Sequence, residues 1–287
     1  MSRVAYVNGT YQPHARAGVH IEDRGYQFGD GVYEVWAIFG GKLADAEGHF
    51  ARLERSLNEL RIEAPMGRAA LTVVLHEVLR RNHVRDGLLY LQVTRGVARR
   101  DHAFPAANTA PSLVITARAT DPAAAEVRAA KGIAVVILPE NRWGRCDIKS
   151  VNLLPNVLAK QAAREKGAGE AWFVDADGLV TEGASSNAWI IDADGTLRTR
   201  SVTSNILRGV TRSTLMRVIA DKGLRVDERP FTPAEAQAAH EAFITGAGTL
   251  VMPVISVDGR SVGDGKPGPV ATELRAAYIR YAKKGGA

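Results

Sequence analysis

The sequence of 287 residues has a single cysteine, Cys146, and no long apolar run. One thiol cannot build a disulfide framework or a site of several thiolates, so stability must come from packing and no metal site is expected. No stretch approaches the roughly 18 apolar residues needed to cross a bilayer. The first residues, MSRVAYVNGTYQ, lack a charged region followed by an apolar signal segment. A cytoplasmic protein without a membrane partner is the expectation. Also missing are G-x-x-x-x-G-K-[ST] and H-E-x-x-H, which removes support for Walker-type ATPases and for metallohydrolases of that motif.

What is present describes a chain that folds. Apolar residues make up 46% and charged residues 24%, close to the soluble globular average. At roughly 150 residues per domain the length suggests two domains. Basic residues outnumber acidic ones, 37 to 31, giving +6 and a pI near 9.5. That makes a non-catalytic basic protein recruiting nucleic acid or acidic partners a reading to test. The distribution opposes it: Arg52, Arg55, Arg61, Arg80 and Arg81 fall among glutamates on helix-like stretches, without interleaved aromatics. A solvated basic surface, with no nucleic-acid partner, is expected.

Turn and periodicity signals organise the chain. AYVNGTYQ predicts a hairpin at Asn8-Gly9, and GVYEVWAIFGGKL predicts another at Gly40-Gly41. Phe50, Leu53, Leu57 and Leu60, then Leu71, Val74, Leu75 and Val78, predict two amphipathic helices; LLYLQVTRG and PSLVITARA return to strand. TDPAAAEVRAAKG looks like a connection, so the expected division is a domain at 1–120, a linker at 121–131 and a second domain at 132–287. That second domain opens with the strand GIAVVILPE. It continues with a helix over 152–166 whose apolar positions are Leu154, Val157, Leu158 and Ala162. Strands grouped with strands and helices with helices predict two α+β domains, with the cleft between them as the default ligand site.

One string stands out for chemistry. In GRCDIKSVNLLPN, Lys149 lies between Ile148 and Ser150, as a strand lysine pointing inward would. An amine removed from water is more readily neutral and able to form a Schiff base with a carbonyl; a plain surface lysine is the alternative.

IEDRGYQFGDGVYEV, RWGRCDIKSVNLLPNVLAKQ, VTEGASSN and ILRGVTR, in this order and separation, resemble the signature segments of the class IV pyridoxal-phosphate aminotransferases, and most of all the branch that handles D-amino acids. The similarity runs through nearly the whole chain. It implies the two-domain α+β architecture called fold type IV, with pyridoxal 5'-phosphate in the interdomain cleft. It also implies ping-pong transamination of D-amino acids with 2-oxo acids, D-alanine and 2-oxoglutarate being the expected pair. Lys149 would carry the cofactor and shuttle the substrate proton, and Glu182 would pair with the pyridine nitrogen. Gly209, Val210, Thr211 and Arg52 would take the phosphate. The loop ITGAGTLVMPV departs from the pattern, since at Gly246 and Ala247 it offers backbone where many relatives have hydroxyls.

Alternation puts Tyr33, Val35 and Ala37 on one strand face, which by resemblance is the substrate wall. Arg100 and His102 fit an R-x-H pattern that binds the substrate α-carboxylate from the neighbouring subunit, which implies a homodimer. The spacing to His102 favours Arg100 over Arg99. A carboxylate trap at Tyr33, Arg100 and His102 implies selectivity for D-substrates. The rivals on the same fold are an aminodeoxychorismate lyase and an L-branched-chain or R-amine aminotransferase.

Overall fold

The computed structural model describes residues 3–203 and 205–284. They form two compact units, one running to Asp121 and including Ile148–Asn152, the other comprising Pro122–Asp147 and Leu153–Lys284.

The first unit contains β1 (Val4–Val7), β2 (Thr10–Pro13), α1 (Arg24–Phe28), β3 (Gly31–Phe39), β4 (Lys42–Leu43), α2 (Ala46–Leu60), α3 (Arg68–Arg81), β5 (Gly87–Thr94) and β6 (Ser112–Ala119). Its sheet has the order β2-β1-β6-β5-β3-β4, antiparallel throughout. The first hairpin turns at Asn8 (φ 46°) and Gly9 (φ 93°); two successive left-handed residues make the turn whose twist matches that of its strands. Along β3, Val32, Trp36 and Ile38 enter a core shared with Leu89 and Leu91 of β5, Phe50 and Leu53 of α2 and Leu75 of α3. Alternation therefore turns Tyr33 and Val35 to the other face, where both are half-buried.

Ile148–Asn152 belongs to this unit through its backbone. The Tyr33 N–H donates to the Lys149 carbonyl at 3.0 Å and the Val151 N–H to the Gly31 carbonyl at 3.0 Å, while Ile148 enters the core. The expected division placed this lysine segment with 132–287. The structure places it with residues 1–121 because β4 pairs only with the far end of β3, leaving polar groups near Gly31 that must be satisfied.

The second unit contains α4 (Pro122–Lys131), β7 (Ile133–Pro139), α5 (Leu154–Glu165), β8 (Glu170–Val174), β9 (Val180–Gly183), β10 (Asn187–Ile191), β11 (Leu197–Arg198), α6 (Val210–Asp221), β12 (Val226–Asp227), α7 (Pro233–Ala238), β13 (Glu241–Gly246), β14 (Leu250–Val257), β15 (Arg260–Ser261) and α8 (Pro269–Lys283). Its mixed sheet runs β12-β11-β10-β13-β14-β7-β8-β9, with β15 on β14. Trp172, Ile190, Ile244 and Val254 pack with Phe231 on one side, and Val136, Ala171 and Phe173 pack with α5 on the other.

Two expectations change here. Residues 122–131 are a helix, α4, not a linker, as the alanine-rich PAAAEVRAAK favours. In α5 the buried residues are Ala159 and Ala163, whereas Leu154, Val157 and Leu158 are 68%, 58% and 58% exposed. The small side chains let the helix approach the sheet closely, and the larger stripe is left outside.

Candidate active site

Ile148 and Ser150 are buried, so period two turns Lys149 the other way, half-buried. Its Nζ lies 4.1 Å from the centroid of the Tyr33 ring, a cation–π distance, and its backbone N–H meets Ser56 Oγ at 3.3 Å. Tyr33 in turn stacks on Tyr90, with centroids 5.8 Å apart. Tyr90 donates to Gln92 Oε1 at 2.7 Å; burial, then the neighbouring Tyr33, pushes its phenol up to about 12, so it remains a neutral donor. Register pairs Tyr33 with Gln92 and Val35 with Tyr90, which makes one wall of the two strands. Ala37, further along β3, is buried. Sequence reasoning missed Tyr90 and Gln92, although the alternation of LLYLQVT carried the signal.

Behind this wall Glu34 is fully buried. Arg52 donates to it twice, Nε to Oε1 at 2.7 Å and Nη2 to Oε2 at 2.9 Å, and His49 Nδ1 lies 2.7 Å from Oε2. Burial alone would raise the Glu34 carboxyl, but Arg52 and His49 hold it far below the usual carboxylate range. Arg52, half-buried with its side chain 9% exposed, is therefore a fixed cation rather than one more surface charge.

In the second unit, Glu182 on β9 is 4% exposed and surrounded by donors: Arg142 Nη1 at 2.5 Å, Asn187 Nδ2 at 3.0 Å, and the Leu207 N–H at 3.1 and 3.2 Å from the two oxygens. Burial pushes its carboxyl up, opposed by Arg142 and the Leu207 N–H, to about 6. Arg142 also grips Glu140 through Nε at 2.8 Å and Nη2 at 2.6 Å, and the Thr181 hydroxyl donates to Glu140 at 2.8 Å. Nothing in the spacing marked Arg142, because Glu182, the partner that gives it a place in the site, stands 40 residues further along the chain. Burial pushes the nearby Cys146 thiol up to about 11, so it is not a ready nucleophile.

Gly209 precedes α6, whose first turn has no side-chain cap and includes the buried Val210 and Thr211. A Cβ at Gly209 would run into Asn187 Oδ1, the side chain that also holds Glu182 and the Leu207 carbonyl. Gly209→Ala should therefore push Asn187 aside and destabilise the protein by about 1 to 3 kcal/mol, the cost of overpacking, measurable by urea unfolding beside wild type. In the turn after β13, Ala247 is half-buried and Thr249 Oγ1 is buried without a hydrogen-bond partner among the described residues.

Arg100 and His102 lie in the exposed loop between β5 and β6. Both gather on Phe28, the guanidinium 5.1 Å and the imidazole 5.4 Å from its ring. Neither makes a hydrogen bond, ion pair or ring contact with Tyr33 or Lys149 of the same chain.

Two glycine-spaced strings are unrelated to a site. G-R-S-V-G at 259–263 carries Ser261 exposed on β15, and G-D-G-K-P-G at 263–268 leads into α8. The first N–H groups of that helix are already taken by Glu241, which accepts from Val270 and Ala271 at 3.0 and 2.8 Å. Neither string is a nucleophile elbow or a dinucleotide loop.

Residues 31–257 match the family model described as amino-transferase class IV. The chain is 42% identical to the D-alanine aminotransferase of Bacillus licheniformis over 94% of each sequence. It is 38% identical to the enzyme of that name from Staphylococcus haemolyticus over 96% of each. Among solved structures it resembles the T.th. branched-chain amino acid aminotransferase with pyridoxamine 5'-phosphate, at a TM-score of 0.90 and 26% identity, covering 99% of this chain and 95% of that one. Among the described residues no helix is long and apolar enough to cross a membrane, and no group of three or more histidine, cysteine or acidic side chains could hold a metal ion.

Proposed function

The chain belongs to the class IV aminotransferases, and on that premise we propose that it is a pyridoxal 5'-phosphate-dependent enzyme transferring amino groups between D-amino acids and 2-oxo acids as a homodimer. The observation that carries the reading is the 42% and 38% identity, over nearly the whole chain, to enzymes named for D-alanine.

The residues present fit the cofactor. Its chemistry asks for a primary amine, a carboxylate that stays charged away from water, and N–H donors for a phosphate. Lys149 would hold it covalently, Glu182 would face its ring nitrogen, and Gly209, Val210, Thr211, Ala247 and Arg52 would hold its phosphate.

When bound, the cofactor supplies an electron sink for the pair left as the substrate α-proton departs. Lys149 Nζ, released when the substrate amine displaces it, would take that proton and return it within each half-reaction, an amine already in place needing no diffusing base. Glu182 would keep a proton on the cofactor's ring nitrogen. Arg142 and the Leu207 N–H oppose the rise that burial causes in this carboxyl, which leaves it ionised near neutral pH. The Tyr33 hydroxyl, Arg100 and His102 receive the α-carboxylate, while Val35 and Ala37 border the side chain. Because Lys149 works from one side, fixing the carboxylate fixes which enantiomer turns its α-hydrogen toward the amine.

Two features support a second copy completing the site. Arg100 and His102 are exposed and contact Phe28, not the Tyr33 wall, and α5 leaves its Leu154, Val157 and Leu158 stripe uncovered.

Pyruvate formation from D-alanine with 2-oxoglutarate is the test. L-alanine presents its carboxylate away from the trap and forfeits two charge-assisted hydrogen bonds, so its kcat/KM should be lower by about 100-fold or more. L-leucine should fare no better. Equal or reversed preference contradicts the assignment and favours the branched-chain reading.

A further inference from the structure

Two buried arginines share one carboxylate in the first unit. Arg24, at the start of α1, is 3% exposed. Its Nε donates to Asp30 Oδ2 at 2.8 Å, its Nη1 to the Asp101 carbonyl at 2.6 Å and its Nη2 to the His102 carbonyl at 3.5 Å. Arg95 meets Asp30 with Nε at 2.8 Å and Nη2 at 3.0 Å, and donates onward to the carbonyls of Leu60 and Arg61. Burial would raise the Asp30 carboxyl, but the two guanidinium groups reverse that and hold it low. Both arginines are thereby locked.

Phe28 stands one turn after Arg24, on the same helix face. The Arg24 guanidinium lies 4.8 Å from its ring centroid, and the same ring receives the Arg100 guanidinium and the His102 imidazole. One short helix thus fixes the main chain at Asp101 and His102 and gives their neighbouring side chains a common surface. An exposed arginine and histidine otherwise sample many rotamers, and ordering them on each binding event weakens affinity.

We propose that Arg24, locked by Asp30, and Phe28 form the platform that presents Arg100 and His102, which makes Arg24 a positioning residue for the substrate α-carboxylate. The inference rests on the carboxylate role proposed above for Arg100 and His102.

The full-length enzyme loaded with cofactor tests it, in the variants Arg24→Gln, Phe28→Leu, Phe28→Tyr and Arg100→Ala, and in Arg24→Gln and Phe28→Leu each combined with Arg100→Ala. Arg24→Gln and Phe28→Leu should each raise KM for D-alanine about tenfold with kcat within about threefold. Cofactor absorbance should not change, and Phe28→Tyr, which keeps the ring, should behave as wild type. In the Arg100→Ala background the same changes should add less than about twofold, because the group they act through is gone. Multiplicative losses in that background, or a fall in kcat and cofactor loading with KM unchanged, would reduce the network to a structural role and overturn the proposal. An Arg100→Ala enzyme with unchanged KM would instead remove the reading beneath it, and the proposal with it. If Arg24→Gln does not fold, the two Phe28 variants decide.

Discussion

Lys149→Ala is expected to lower kcat for D-alanine by at least about 10,000-fold, the upper range for loss of a positioned general base, since the covalent tether is lost as well. The change should spare the fold. Lys149 is only half-buried, and the hydrogen bonds that fix its segment to β3 come from main-chain groups that alanine retains. Thermal unfolding of the cofactor-free proteins should therefore differ little while single-turnover rates collapse. A variant that keeps more than about one-hundredth of wild-type kcat would show that another group moves the α-proton.

The second large effect concerns charge. Glu182→Gln preserves shape but removes the carboxylate that would keep the ring nitrogen protonated, and should cost about 100- to 1,000-fold in kcat, as loss of a preorganised electrostatic partner does. The same variant reports on stability. Burial raises the folded-state value of Glu182 from 4.5 to about 6, so the folded protein binds more protons than the unfolded chain between those values. Stability from this group is fully present below 4.5 and is lost as pH rises through 6. In the cofactor-free protein the stability difference between wild type and Glu182→Gln should shift against wild type by about 2 kcal/mol across that window. Chemical denaturation at a series of pH values measures it; a difference that is flat, or that moves in wild type's favour, would mean the carboxyl is not raised.

The features that could be read in the sequence are those set by neighbours along the chain. Asn8-Gly9 announced its hairpin because both residues tolerate the left-handed backbone the turn requires. The strand face of Tyr33 and Val35 followed from alternation alone. Lys149 and Glu182 stood inside strings whose combined order is specific even though neither residue is informative in isolation. What escaped depended on partners distant in sequence. The lysine segment joins the first unit through hydrogen bonds to Gly31 and Tyr33, more than a hundred residues earlier, and no local pattern encodes that pairing. Arg142 gains its significance only when Glu182 folds against it. In α5 two stripes fitted the helical period, and the alanines packed inward because the sheet admitted a close approach, which hydrophobicity does not reveal. Arg24, one residue of a recognised string, became interpretable only once its guanidinium was seen to hold the carbonyls of Asp101 and His102.

The account as a whole requires that the amine of Lys149 carry the cofactor. Borohydride reduction of the purified yellow protein, followed by proteolysis and mass mapping, should find the phosphopyridoxyl group on the peptide containing Ile148–Asn152 and on that peptide alone. A reduced adduct on another lysine, or none on this peptide in protein that had bound the cofactor, would contradict it.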